Sequence, residues 1–253
     1  MARKPRRKSY SGIYHIMLRG INRQTIFEDD EDKIRLLTTI KRYKEKGNFK
    51  LYGYCFMDNH IHLLMQEMDE TVSQTIQRIG ASYVYWYNSK YVRCGHLFQD
   101  RFKSENVETA DDFIKILRYI HQNPLKAKLA KNVFECKWTS LKAYLGKSSM
   151  VDIDPGLKLF SPNRKKAKQQ FINYMQESNN DQCLDDHVRV RMSDDEVRSH
   201  LNKLGIPTSS SLQQMEREIR NAIILELKEL DGVSIRQLAR IIGISKSVID
   251  RVR

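Results

Sequence analysis

Residues 58–66 read DNHIHLLMQ, so two imidazoles, His60 and His62, flank a single isoleucine at the head of an apolar run. In an extended strand, residues i and i+2 point to the same side. The pair would therefore present two imidazoles side by side, a spacing suited to one divalent cation. The same spacing also fits a turn-capping histidine followed by one satisfied by hydrogen bonds. A metal centre normally needs a third ligand, and a catalytic one leaves positions open for substrate. The segment RYIHQNPL (118–125) offers a candidate, because Tyr119 and Asn123 are four residues apart and share one face of a helix. An amide oxygen at Asn123 is a hard donor suited to Mg²⁺ or Mn²⁺. Tyr119 would stand one turn away, where its hydroxyl could meet a polarised phosphate. Among Ile116, Leu117 and Ile120 it also reads as an ordinary half-buried tyrosine. His121 lies about 200° around the helix from that face and is not counted as a ligand, whereas Gln122 is adjacent to it and a weaker alternative. Pro124 disfavours helical geometry at the residue before it, so the helix is expected to end there with Asn123 in its last turn.

The elements that must hold these groups follow from pattern. YHIMLRG (14–20) and FKLYGYCFM (49–57) are rich in β-branched and aromatic residues and read as strands. Between them 29–47 has an acidic first turn, apolar Ile34, Leu36, Leu37 and Ile40, and a terminal glycine, which reads as a helix. A tight Asp-Asn turn leads into a strand at 61–66. A helix over 71–90, a strand over 97–107 and a helix over 110–123 follow. Helices alternating with strands, and one strand pair in direct succession, predict an α+β fold. Its core is a ferredoxin-like β-α-β-β-α-β sheet covered on one face, with the Tyr119 helix trailing. That unit is expected to span 1–145. The Gly, Ser, Pro and Lys content of 146–190 reads as a linker with a short helix at 165–177. From 191 to 253 the pattern is all-α. Leu238, Ile241, Ile244, Val248 and Ile249, with Ala239 in the first helix and Gly243 at the turn, give a helix-turn-helix layout.

The bulk numbers bound the partners. Hydrophobic residues make up 40 % of 253, enough for a sizeable core, and the net charge of +13 favours a polyanion, most often nucleic acid. No apolar run approaches the roughly 18 residues of a membrane span, and the basic N-terminus precedes nothing like a signal-peptide core. No membrane partner is expected, and the location is expected to be cytoplasmic and nucleoid-associated. Cys55, Cys94, Cys136 and Cys183 are scattered without a C-x-x-C pair and read as free thiols.

With these residues in order the chain resembles a known family. GIYHIMLRGINRQTIF, YCFMDNHIHLLMQ, GHLFQDRFKS and LRYIHQNPLKAKL follow one another as in the single-tyrosine HUH transposases, most like the branch of the REP-associated tyrosine transposases. The resemblance covers about residues 8–145. It implies that His60 and His62 bind Mg²⁺ or Mn²⁺, that Asn123 is the polar third ligand and that Tyr119 is the nucleophile; Ile61 fits the bulky apolar residue usual between the two histidines. It further implies cleavage of single-stranded DNA, often beside a hairpin. Attack by the tyrosine leaves a 5′-phosphotyrosine and a free 3′-hydroxyl that can later rejoin strands. Relatives occur as monomers and dimers, so a homodimer is possible.

The remaining basic residues fall into place around that expectation. Arg3, Lys4, Arg6, Arg7 and Lys8 form a basic arm that either neutralises phosphates or is a solvated tail. Arg19, Asn22 and Arg23 match a family motif and either line the strand path or serve a loop turn. Arg101 and Lys103, on alternate strand positions, could face a phosphate. Five aromatics in 83–91 could stack unpaired bases, although their helical spacing favours core. Ser245, Lys246, Ser247 and Arg251, with Asp250, are the expected groove-facing residues of the second helix, against a partner-binding bundle as the alternative. A transposase-derived DNA-binding regulator that no longer cuts is the competing function. An RNA-binding sheet module is disfavoured by the absence of an RNP-type strand.

Overall fold

The structure is a computed structural model that describes residues 6–146, 150–178, 183–184, 192, 194–230 and 232–252. Arg3 and Lys4 of the basic arm lie outside the described residues. The chain divides into two compact units, Met1–Asp186 and His187–Arg253.

The first unit is built on strands β1 (Ile13–Arg19), β2 (Lys50–Phe56), β3 (His60–Gln66) and β4 (Lys103–Asn106). They form one sheet in the order β2-β3-β1-β4. Every neighbouring pair is antiparallel. With helices α1 (Asp30–Gly47) and α2 (Val72–Lys90) as crossovers, this is the expected ferredoxin-like arrangement. The N-terminus of α1 carries a capping box in which the Asp29 side chain accepts from the Asp32 amide and Asp32 reaches back. Its C-cap is Asn48, in the left-handed conformation at φ 49°, not the expected glycine stop at Gly47. The β2–β3 turn is anchored by its own backbone: Gly20 N–H donates to Asn59 O, and Ile26 N–H to Asp58 O.

One expected strand is shorter than its pattern. Residues 97–107 pair continuously only over Lys103–Asn106, with a single bridge from Phe98 to Gly20. Asp100, at φ 55°, breaks the extended run between them.

The two faces of the sheet have different covers. Phe27 and Tyr83 stack toward Phe56, and the Tyr83 hydroxyl donates to Ile26 O, which seats α2 over the Phe56 face. Helix α3 (Ala110–Lys126) packs on the opposite face against β2 and β3, so the sheet is covered on both sides and not on one. Gly53 makes that approach possible. A Cβ there would sit 2.8 Å from Leu117 Cδ1, closer than van der Waals contact permits. Of the aromatics in 83–91, Tyr83 and Tyr87 are buried in the core and Tyr85 is exposed.

The expected linker is largely part of this unit. Beyond α4 (Leu141–Tyr144), residues 146–190 include α5 (Ile153–Lys158) and α6 (Arg164–Gln176). Leu157, Ala167, Phe171, Met175 and Cys183 join the same core as the sheet. The division therefore falls between residues 186 and 187, since apolar side chains spaced along the Gly- and Lys-rich stretch were enough to dock it. Asp152 ties it further by accepting from Leu51 N–H and pairing with Lys44 at 2.6 Å.

The second unit comprises α7 (Asp194–Lys203), α8 (Ser209–Gln214), α9 (Arg217–Glu229), α10 (Ile235–Ile242) and α11 (Lys246–Arg251). Helices α10 and α11 meet at Gly243, whose φ of 67° is the left-handed cap expected of a helix-turn-helix corner. Gln213 clamps the corner by donating to Ile242 O and Gly243 O. Leu238, Ile241, Ile242 and Ile249 are buried, but Val248, expected inside, is 42 % exposed because α11 presents that side to solvent.

A buried carboxylate joins the start of α1 to the end of α2. Asp32, fully buried, accepts from Glu28 N–H, Asp29 N–H, the Tyr91 hydroxyl and Lys90 Nζ at 2.7–3.4 Å. Asp32→Ala would strand these donors and is expected to cost about 3–5 kcal/mol, read by urea denaturation, with Asp32→Asn losing less.

Candidate active site

The candidate groups come together on the α3 face of the sheet. Alternation along β3 sends His60 and His62 to that face, and antiparallel pairing with β1 sets Arg19 opposite His60 and Met17 opposite His62. On α3, Tyr119 and Asn123 share the side turned to the sheet. The Tyr119 ring meets His62 edge-on with centroids 5.6 Å apart, and Asn123 Nδ2 lies 3.4 Å from His62 Nε2. The two candidate histidines have centroids 5.0 Å apart. The cluster is buried: His62 is 0 %, Tyr119 2 %, Asn123 8 % and His60 9 % exposed.

Pro124 does not end the helix. α3 continues through it to Lys126, so Asn123 keeps helical geometry in the last turn and stays in line with Tyr119. The bonds elsewhere on α3 explain how this holds. On its far side His121 meets Ser140 Oγ at 2.7 Å and packs edge-on against Tyr144 and Phe171. Gln122 is committed to α6, donating to Met175 O and Glu177 O. Arg118 pairs with Glu177 at 3.3 Å and stacks over Tyr174. Neither His121 nor Gln122 faces the cluster.

The imidazoles are in the form a cation requires. Burial holds His60 down at about 4, with the Arg19 charge adding to it. Burial likewise puts His62 well below the ordinary histidine range, reinforced by His15, His60 and Arg19. Both are therefore neutral at pH 7, and neutral imidazole is the ligand species. His60 Nδ1 meets Asn59 Oδ1 at 2.6 Å, and Asn59 Nδ2 donates to Arg23 O, which orients the amide. His60 Nδ1–H thus donates to Asn59 Oδ1, which leaves the lone pair on Nε2. Two imidazoles and an amide converge in a buried space, with a ring nitrogen of each imidazole already engaged elsewhere, a donor set that could hold one divalent cation.

Basic groups surround the cluster unevenly. Arg19 is coupled electrostatically to Tyr119, and burial and nearby Arg23 lower its pKa. Lys126 Nζ lies 5.0 Å from the Tyr119 ring centre. Asn22 and Arg23 are exposed, in a turn where both have positive φ, 52° and 59°. Lys103 and Arg101 are exposed, but only Lys103 lies in β4; Arg101 precedes the strand and neighbours Arg6. Arg6 is not a free arm residue: its guanidinium sits 3.5 Å over the Phe102 ring and donates to Phe102 O. Arg7 and Lys8 are exposed. In the second unit Ser245, Lys246, Ser247, Asp250 and Arg251 are exposed along α11. Arg240 of α10 is instead paired with Asp194, its Nη2 donating to both carboxylate oxygens.

Sequence reasoning missed His15. It is fully buried, its Nε2 lies 3.0 Å from His62 Nδ1, and its Nδ1 lies 3.3 Å from Glu105 Oε2. The signal was available: His15, Met17 and Arg19 alternate on one side of a strand that pairs with the histidine strand. Among the described residues His15, Glu105 and Cys183 also place donor atoms within 4.8 Å of one another.

A ferredoxin-like unit with a helix-borne tyrosine over a histidine pair defines a class, and the comparisons name it. Residues 8–123 match the family model described as "Transposase IS200 like". Among solved structures, a REP-associated tyrosine transposase bound to a REP hairpin is similar with a TM-score of 0.50 at 16 % identity. The match covers 61 % of this chain and 96 % of that one, a likeness of fold. A transposase from Deinococcus radiodurans R1 matches with a TM-score of 0.34 at 16 % identity, over 47 % of this chain and 95 % of that one. Nothing among the curated proteins matches the chain. No helix among the described residues is long and apolar enough to cross a membrane.

His121 gives the site's support an acid limit. Burial alone lowers it to about 3, against about 6.5 in the unfolded chain. A depressed histidine leaves stability intact above pH 6.5 and removes it as the unfolded state takes up a proton below. From pH 7 to pH 5 this group alone is expected to cost about 2 kcal/mol. Urea denaturation at both pH values, compared with His121→Gln, should show that much less acid sensitivity in the variant.

Proposed function

We propose that the first unit is a metal-dependent, single-strand DNA transposase or nickase that cuts and rejoins strands through a 5′-phosphotyrosine on Tyr119. The observation that carries this reading is the convergence of Tyr119, His60, His62 and Asn123 from two elements into one buried cluster, with Arg19 beside it. The match of residues 8–123 to the IS200-like transposase family supports that reaction class. The hairpin bound by the REP-associated neighbour supports single-stranded DNA with a hairpin as substrate.

In this reading His60, His62 and Asn123 hold Mg²⁺ or Mn²⁺. When bound, the ion would neutralise charge on the scissile phosphate and so relieve the need for a strongly activated phenol. Tyr119 Oη forms a bond to phosphorus as the bond to the 3′-oxygen breaks. The phenol gives up a proton, and the departing oxygen gains one to become the 3′-hydroxyl. Reversal with another 3′-hydroxyl restores the phosphodiester and the phenol, so rejoining needs no nucleotide cofactor. Seating Tyr119 against the His62 ring fixes the angle of attack, and positioning of this kind supplies much of the rate in phosphoryl transfer. Arg19 and Lys103, on the same sheet face, would steady neighbouring phosphates. Arg7 and Lys8 would add salt-dependent affinity, and the exposed side of α11 would contact duplex DNA through Lys246 and Arg251.

The test is a denaturing gel of labelled single-stranded hairpin DNA incubated with the full chain and Mn²⁺ or Mg²⁺. Wild type should give a covalent protein–DNA band. Tyr119→Phe should give none, and His62→Ala should reduce it by at least about 100-fold, the scale of losing an electrostatic stabiliser of the transition state. A band that survives Tyr119→Phe would assign the chemistry to another residue. Tight binding without any band would favour the regulator that no longer cuts.

A further inference from the structure

We infer that His15 is a positioning residue which, together with Glu105, sets the tautomer of His62 so that its Nε2 lone pair faces Asn123. The inference rests on the reading of His62 as a cation ligand, and it adds two residues, from β1 and β4, to that site.

The direction of each hydrogen bond follows from the one before it. Glu105 Oε2 lies 3.3 Å from His15 Nδ1, and an ionised carboxylate can only accept. His15 Nδ1 must therefore carry the proton. A neutral imidazole has one N–H, so His15 Nε2 is an acceptor. The atom facing it, 3.0 Å away, is His62 Nδ1, which must then donate. His62 is left with its lone pair on Nε2. The opposite end of the chain points the same way, because Asn123 Nδ2, an N–H donor, lies 3.4 Å from His62 Nε2.

The surroundings make the relay rigid. His15 and His62 are both fully buried, and their rings stack at 5.2 Å with planes 29° apart. Tyr119 closes the group, edge-on to His15 at 5.8 Å. His15 and Glu105 are direct partners in the β1–β4 ladder, so strand register sets their distance. That gives the four-residue edge strand a purpose: it delivers the carboxylate that starts the sequence. Among the described residues, the charged and titratable groups facing His15 are Glu105, His62, Tyr119 and Cys183. A histidine so backed by a carboxylate is the usual device for fixing a ligand's tautomer from outside.

The test reads the tautomer directly. Full-length protein labelled with nitrogen-15, free of metal and held at about pH 8 where imidazole is neutral, is examined by long-range proton–nitrogen correlation, with His62 assigned by its loss in His62→Ala. The expected pattern is a protonated Nδ1 and an unprotonated Nε2. His15→Phe removes the acceptor, so His62 should shift toward the Nε2–H form and Mn²⁺ affinity, read by electron paramagnetic resonance, should fall about 10–100-fold. His15→Gln can still accept from His62 and donate to Glu105, and should keep both the tautomer and most of the affinity. Far-ultraviolet circular dichroism checks that each variant is folded.

An Nε2–H tautomer in wild type would overturn the inference, as would a folded His15→Phe with wild-type tautomer and affinity. The expected tautomer with Mn²⁺ binding unaffected by His62→Ala would uphold the relay while removing His62 as a ligand. Mn²⁺ binding lost in Cys183→Ser but kept in His62→Ala would place the cation on His15, Glu105 and Cys183, and would overturn the inference.

Discussion

The register between β1 and β3 is the constraint on which the site depends. Side chains alternate across a sheet, so a slip of one residue would turn His60 and His62 away from α3 and into the α1–α2 layer. The observed pairing, Arg19 with His60 and Met17 with His62, brings a cation, two imidazoles and His15 onto one face. Several backbone bonds pin that register. Gly20 and Ile26 donate to the two residues of the β2–β3 turn, and Gly12 O accepts from Glu67 N–H at the far end. The hydrophobic side of the sheet adds its own penalty to slippage, because Ile16, Leu18, Ile61 and Leu63 would be forced toward the polar cluster.

A second layer fixes the tyrosine helix. α3 lies close to the sheet because Gly53 leaves room for Leu117. Its outer surface is held by α6, through Gln122, Arg118 and the His121 contact with Phe171. The segment after residue 146 is thus part of what orients Tyr119. A fragment ended at 145 would lose every contact named for Arg118 and Gln122, whereas His121 would keep Ser140 and Tyr144 and lose only Phe171.

Much of this was legible from residue types. The i, i+2 histidines, the i, i+4 tyrosine and asparagine, and the order of strands and helices all follow from local periodicity, and the sheet order agrees with the expected fold. What was not legible depends on distance in space. His15 and Glu105 are 90 residues apart, and nothing in YHIMLRG says which strand will lie beside it. The length of β4 was misjudged because Asp100 takes a left-handed conformation that an aromatic, β-like pattern conceals. The 146–190 stretch was misjudged because its Gly, Ser and Lys content outweighed a sparse set of apolar residues that proved sufficient to dock. Val248 matched the helical period yet faces water, since a short helix at the edge of a unit has little core to turn toward.

Pro124 has a further physical consequence. Having no N–H, it cannot bond the Ile120 carbonyl, so the backbone ladder of α3 has a missing rung between Tyr119 and the helix end. The turn stays closed on the far side of that gap, because Ala127 N–H donates to Asn123 O and Leu129 N–H to Pro124 O. One helix thus carries Tyr119 and Asn123 on a single face up to a proline that interrupts its ladder without turning its course.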